Sequence, residues 1–150
     1  MLGIDYGLRR LGLALSDTTG LLARPWQTVP AGTTPAASAA AVAGLLSAAD
    51  EQAREVGVVV VGLPRRLNGD ETHVTPAVRV FAAELTGLTG LPVHLQDERL
   101  TSREAESRLA TRERDWRVRK KRIDAAAAAI ILQDYLDARE RPSSGEEPPR

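Results

Sequence analysis

Three carboxylates, Asp5, Glu98 and Asp124, stand where an acid needs a reason. Asp5 lies in the opening stretch "MLGIDYGLRRLGLALSD". There Leu2 and Ile4 point one way at strand spacing, and Gly3, Asp5 and Gly7 share the other face. Aspartate is depleted in strands and costly to bury unpaired. Glu98, next to Asp97, ends a second strand-like segment, "LPVHLQDER", and Asp124 opens a segment whose next five residues are all alanine. Oxygen donors without a nearby histidine or cysteine suit hard divalent cations, Mg²⁺ or Mn²⁺. An unpaired cluster of this kind repels itself and raises its own pKa values. A pair of metal ions removes that conflict and can position a water and a leaving oxygen for phosphodiester hydrolysis. The competing reading is structural. Asp5 would pair with Arg9, Arg10 or Arg122, and Asp124 would be an early-helix acid favoured by the dipole. Residue types and spacing leave both open.

The elements that must position these groups follow from periodicity. Leu11, Leu13 and Leu15 alternate with Gly12 and Ala14 and form a hairpin with the first strand through "GLRR". "LLARPWQTVP" reads as a third strand, edge-like because Pro25 cannot serve inside a sheet. Thr34 before Pro35 starts an Ala-rich helix to about Glu55, stopped by Gly57. "VVVVG", residues 58–62, lacks polar alternation, as a parallel strand covered on both faces does. Gly62, Leu63 and Pro64 read as its exit into a loop with a turn at Asn68-Gly69. A helix is predicted between His73 and Leu88, ending near Gly87 or Gly90. "TSREAESRLATRER" opens on a capping box, Thr101 to Glu104, and "RKKRIDAAAAAIILQDYLDARE" gives the last helix. The order β-β-β-α-β-α-β-α-α predicts an α/β layer fold with crossover units. Asp5 and Glu98 then lie at carboxyl ends of strands, where ligand sites gather. Strands one and five read as close neighbours, and the alanines 125–129 let Asp124 approach that edge.

The composition narrows the partners. The chain has 150 residues, no cysteine and a formal net charge of zero. That length suits one domain, and the balance argues against generic adhesion to nucleic acid. No apolar run approaches a membrane span and no signal peptide opens the chain, so the expectation is a cytoplasmic protein with no membrane partner. Charge is nevertheless concentrated: residues 99–122 hold ten Lys or Arg against four Asp or Glu. Nearly all the cations are arginine, whose forked donors match phosphate. Arg99 adjoins Glu98, and Arg119, Lys120, Lys121 and Arg122 precede Asp124. Arg9 and Arg10 flank the first strand, and Arg65 and Arg66 follow the Val-rich one. These nine are the candidate nucleic-acid contacts, which would hold a phosphate backbone without reading sequence.

Four segments together, "GIDYGLRRLGLALSD", "VVVVGLPRRLNGDET", "VHLQDERLTSREAE" and "RKKRIDAAAAAIILQDYLD", resemble the motif blocks of the YqgF/RuvX family, in the family's order and across nearly the whole chain before the tail. The resemblance implies an RNase H-like fold, with a mixed five-stranded sheet of antiparallel hairpin strands and parallel strands flanked by helices. It implies a nuclease domain over residues 1–140, and the Pro-rich, polar stretch 141–150 is expected to be a disordered tail. By the same resemblance Asp5, Glu98 and Asp124 are catalytic residues and ligands of two Mg²⁺ or Mn²⁺ ions. Asp97 alternates to the opposite face and is treated as supporting. Leu8 departs from the small polar residue usual at its position.

The function implied is a metal-dependent endonuclease that resolves four-way DNA junctions. The alternative is a nuclease maturing the 5′ end of the small-subunit (16S) rRNA precursor. Symmetric cuts on a junction favour a homodimer; trimming an RNA end does not require one. More remote readings are a non-catalytic module for branched nucleic acid, or half of an actin-like nucleotide-binding fold. The three retained acids speak against the first. The lack of a second phosphate motif speaks against the second.

Overall fold

The structure is a computed structural model that describes residues 1–48, 55–66, 68–98 and 116–140, with side chains of the last helix from 124 to 139. A five-stranded mixed sheet runs in the order β3-β2-β1-β4-β5. Strands β1 (Leu2–Tyr6), β2 (Arg10–Ser16) and β3 (Ala23–Pro30) form an antiparallel meander. Strands β4 (Val59–Pro64) and β5 (Val93–Glu98) extend it parallel to β1. The helices are α1 (Pro35–Ala48), α2 (Thr75–Thr89) and α3 (Trp116–Glu140). Among the described residues no helix is long and apolar enough to cross a membrane.

Each element has a local cause. The β1–β2 turn needs Gly7, because a Cβ there would lie 2.4 Å from the Arg10 carbonyl oxygen. Pro25 sits on the edge strand β3, where the register shift between Leu13 and Ala14 leaves Trp26 without a cross-strand partner. Ala37 N–H donates to Thr34 Oγ1 at 3.0 Å, giving α1 its N-cap, and Pro35 follows at a position that needs no donor. The Asn68-Gly69 turn forms, with Gly69 at φ 92° and Arg66 N–H donating to the Asp70 carbonyl at 2.8 Å.

Several boundaries differ from the sequence reading: β3 begins at Ala23, and α3 begins at Trp116, so Asp124 lies about two turns inside the helix and not at its opening. β4 runs on to Pro64, so Gly62 to Pro64 are strand rather than exit. α2 begins at Thr75, because Thr75 Oγ1 is held by the Pro64 carbonyl at 2.7 Å and accepts Thr72 N–H at 2.9 Å. Gly90, at φ 71°, ends α2 by donating to the Thr86 carbonyl at 2.8 Å. The expected helix of residues 101–114, the far end of α1 and the 141–150 tail lie outside the described residues.

The sheet has two unlike faces. On one, Leu2, Ile4, Leu11, Leu13, Val59, Val61 and Leu63 pack against Val42 and Leu46 of α1 and Val78, Phe81 and Leu85 of α2. On the other, Ala14 and Val60 pack against Ala128, Ile131, Leu132 and Leu136 of α3, the one helix on this face among the described residues. Val59, Val60 and Val61 are completely buried because β4 has strands on both sides and helices on both faces. The second face carries the acids.

Candidate active site

Helix α3 is seated on glycines. Gly3, Gly12 and Gly62, on three neighbouring strands, each leave room that a Cβ would fill. At Gly12 it would stand 1.9 Å from the Asp124 carbonyl oxygen; at Gly3, 2.7 Å from Leu132 Cβ and 2.9 Å from the Ala128 carbonyl oxygen. At Gly62 it would stand 2.7 Å from Ile131 Cδ1 and 3.4 Å from Glu98 Cγ. Asp5 is directly opposite Gly12 in the β1–β2 ladder. Asp5, Glu98 and Asp124 are therefore gathered on one face, at the carboxyl ends of β1 and β5 and beside the helix that crosses them. β1 and β5 are not neighbours as the sequence suggested. β4 lies between them, and at Gly62 it makes room for Ile131 of α3, with Glu98 Cγ alongside. Asp97 pairs in register with core residue Leu63 and points to the opposite face, as alternation predicts.

The electrostatics separate the three acids. Arg10 Nε donates to Asp124 Oδ2 at 2.8 Å, and the two side chains are only about a quarter exposed, 27% and 23%. Asp5 is part-buried, and burial, reinforced by the neighbouring Asp124 charge, pushes its carboxyl up to about 7. Among the described residues no cation pairs with Asp5. The structural alternative thus meets a different partnership: Arg10 neutralises Asp124, Arg9 is exposed, and the side chain of Arg122 lies outside the described residues. Both carboxylate oxygens of Glu98 are shielded from solvent.

The donor set suits a hard divalent cation, being all carboxylate oxygen, shielded, and rich in negative charge. As arranged, no three Asp, Glu or His side chains among the described residues already close into a metal-holding cluster. For these acids to share an ion their side chains would have to move from this arrangement.

The expected phosphate contacts divide. Arg9, beside the exposed Leu8 at the hairpin tip, and Arg66 are open to solvent. Arg65 is built into its own loop: its Nε is buried and its Nη1 donates to the Gly69 carbonyl at 3.3 Å. Arg10 is occupied by Asp124. Arg99 lies outside the described residues. Arg119, Lys120, Lys121 and Arg122 lie on the first turns of α3, with side chains outside the described set. Sequence reasoning missed the Arg10–Asp124 pair and the glycine seat. The repeated small residues on one face, Gly3 and Gly12 included, were the available signal.

Residues 1–138 match the family model described as "RuvX: Holliday junction resolvase". A protein of Anaeromyxobacter sp. (strain Fw109-5) named "Putative pre-16S rRNA nuclease" is 45% identical over 138 residues, spanning 92% of this chain and 96% of that one. A protein of the same name from Chloroflexus aggregans is 41% identical over 142 residues, spanning 95% and 96%. Among solved structures, the Fowlpox virus resolvase in complex with Holliday junction DNA aligns with a TM-score of 0.51 at 12% identity, covering 94% of this chain and all of that one, 100%. The fold is RNase H-like.

Proposed function

The chain belongs to the RuvX family, and from that premise we propose that it is a divalent-metal-dependent nuclease that matures the 5′ end of the 16S rRNA precursor in the cytoplasm. Members of this family are nucleases, hydrolases acting on ester bonds. The observation that carries the metal mechanism is Asp5: a shielded strand carboxylate with no pairing cation among the described residues, set against a second acid. Asp5, Glu98 and Asp124 would hold Mg²⁺ or Mn²⁺, two ions by the resemblance. When bound, the ions supply Lewis acidity at the phosphate and lower the pKa of water. The chain's own residues bind and orient. Asp5 is fixed by its strand and Asp124 by its seat on Gly12, so the backbone carrying the donors moves little and only their side chains adjust. Arg9 and Arg66, exposed on loops at the same edge, contact backbone phosphates and set register without reading bases.

The curated relatives' names favour the rRNA precursor as substrate. The family description supports a second reading, cleavage of four-way DNA junctions, which would call for a two-fold dimer. The test incubates wild type and Asp5→Asn with a 5′-extended 16S precursor and with a labelled junction, in Mn²⁺ or EDTA. Metal-dependent cutting of the precursor by wild type alone supports the main reading. Paired symmetric nicks on the junction, with the precursor untouched, transfer the role to DNA. Tight binding of either substrate without cutting would leave a binding module. Equal cutting by Asp5→Asn overturns the carboxylate mechanism.

A further inference from the structure

We propose that Arg10 is a positioning residue for the metal site, one that restrains the Asp124 carboxylate at the site rather than serving first as a phosphate contact. The inference rests on the metal reading of that site. Asp124 has its backbone and its side chain fixed by different parts of the hairpin. The backbone carbonyl presses on Gly12, so β2 sets where the start of this stretch of α3 lies. The side chain is held by Arg10, two residues earlier on the same face of β2, through Nε to Oδ2 at 2.8 Å. Both partners are largely shielded, so the hydrogen bond is stronger than a surface ion pair.

The manner of the contact separates positioning from competition. A guanidinium that fully neutralises a carboxylate often takes both oxygens through its fork. Arg10 uses one nitrogen on one oxygen, and no described residue hydrogen-bonds Asp124 Oδ1. Asp5 stands opposite Gly12 in the ladder, and Gly12 is the residue against which the Asp124 backbone lies, so the two acids approach the same point of β2. Hydrogen bonding of a ligating carboxylate by a neighbour is a general way of fixing its orientation and tuning affinity.

The test titrates wild type, Arg10→Gln, Arg10→Lys and Asp124→Asn with MnCl₂ alone by calorimetry. Thermal unfolding and precursor-RNA binding in EDTA are measured on the same samples. Arg10→Gln is expected to lose Mn²⁺ affinity by about ten- to a hundredfold. Arg10→Lys recovers part of the loss, and RNA affinity in EDTA changes less than metal affinity. Unchanged or tighter Mn²⁺ binding in a folded Arg10→Gln protein overturns the proposal. So does a loss confined to RNA binding in EDTA, which would make Arg10 a phosphate contact. If Arg10→Gln does not fold, Arg10→Lys decides: a partial loss of Mn²⁺ affinity supports positioning, and wild-type affinity refutes it. Failure of the wild type to take up Mn²⁺ strikes the underlying metal reading as well. Normal uptake by both wild type and Arg10→Gln strikes only the role of Arg10.

Discussion

Asp5 sets function against stability. Its carboxyl, pushed up to about 7 first by burial and then by Asp124, holds its proton more tightly folded than unfolded, where its ordinary value is 3.8. Stability from this group is therefore full below about pH 4 and declines as pH rises towards 7; above that the ionised acid is a cost. Without metal, Asp5→Asn should be more stable than wild type at pH 8, by about 2 kcal/mol after discounting for partial exposure, and indistinguishable from it near pH 4. Thermal unfolding at the two pH values checks this. Mn²⁺ should raise the midpoint of wild type and not that of Asp5→Asn, which should not cut. A stability gain with loss of activity is the usual mark of a strained functional residue. The anomaly was legible in the sequence, since alternation alone puts Asp5 opposite Leu2 and Ile4. That no cation among the described residues pairs with it was not. Arg10 read as a partner for Asp5, and only the seating of α3 brings it to Asp124 instead.

The seating of α3 is a property of elements, and small residues on both sides create it. Gly12→Ala would place a Cβ 1.9 Å from the Asp124 carbonyl oxygen, a backbone atom that cannot rotate away. The helix must lift, at a cost of about 1–3 kcal/mol or more. The carboxylate lifts with it, and a displacement near 1 Å is enough to reduce cleavage by about a hundredfold. Gly44→Ala is the counter-case: this glycine is exposed within α1, with nothing near its missing Cβ, so alanine should stabilise by about 0.5–1 kcal/mol and leave cleavage unchanged. Denaturant melts and initial rates on the two variants test the contrast. The run Ala125–Ala129 announced a close approach. Which strand it would approach could not be read, because a glycine's partner across the layer is fixed by sheet order. That order inserts β4 between the two strands bearing Asp5 and Glu98, a crossover that local patterning does not encode.

At the scale of the whole molecule the division of labour lies between the sheet's two faces. One buries the aliphatic and aromatic core under α1 and α2, and the other carries α3 and the acids. With zero net charge, the chain as a whole does not attract nucleic acid. Attraction has to come from local concentrations of cations, and those described at the edge where β1 and β4 end act against the repulsion of the acids beside them. Arg9 follows β1 and Arg66 follows β4, and both are exposed. If each neutralises one phosphate, Arg9→Gln and Arg66→Gln should each weaken binding of any RNA sequence by a similar factor. Each should also flatten the dependence of log affinity on log salt by about one. Arg65→Gln should act differently, because that guanidinium is tied to the Gly69 carbonyl of its own loop. It should lower the thermal midpoint and leave the salt slope close to that of wild type. Affinity measured across a salt series in EDTA, which removes cleavage, separates the two behaviours. Unchanged slopes for Arg9→Gln and Arg66→Gln would make these arginines ordinary solvated loop charges and move the phosphate-binding surface to the basic first turns of α3.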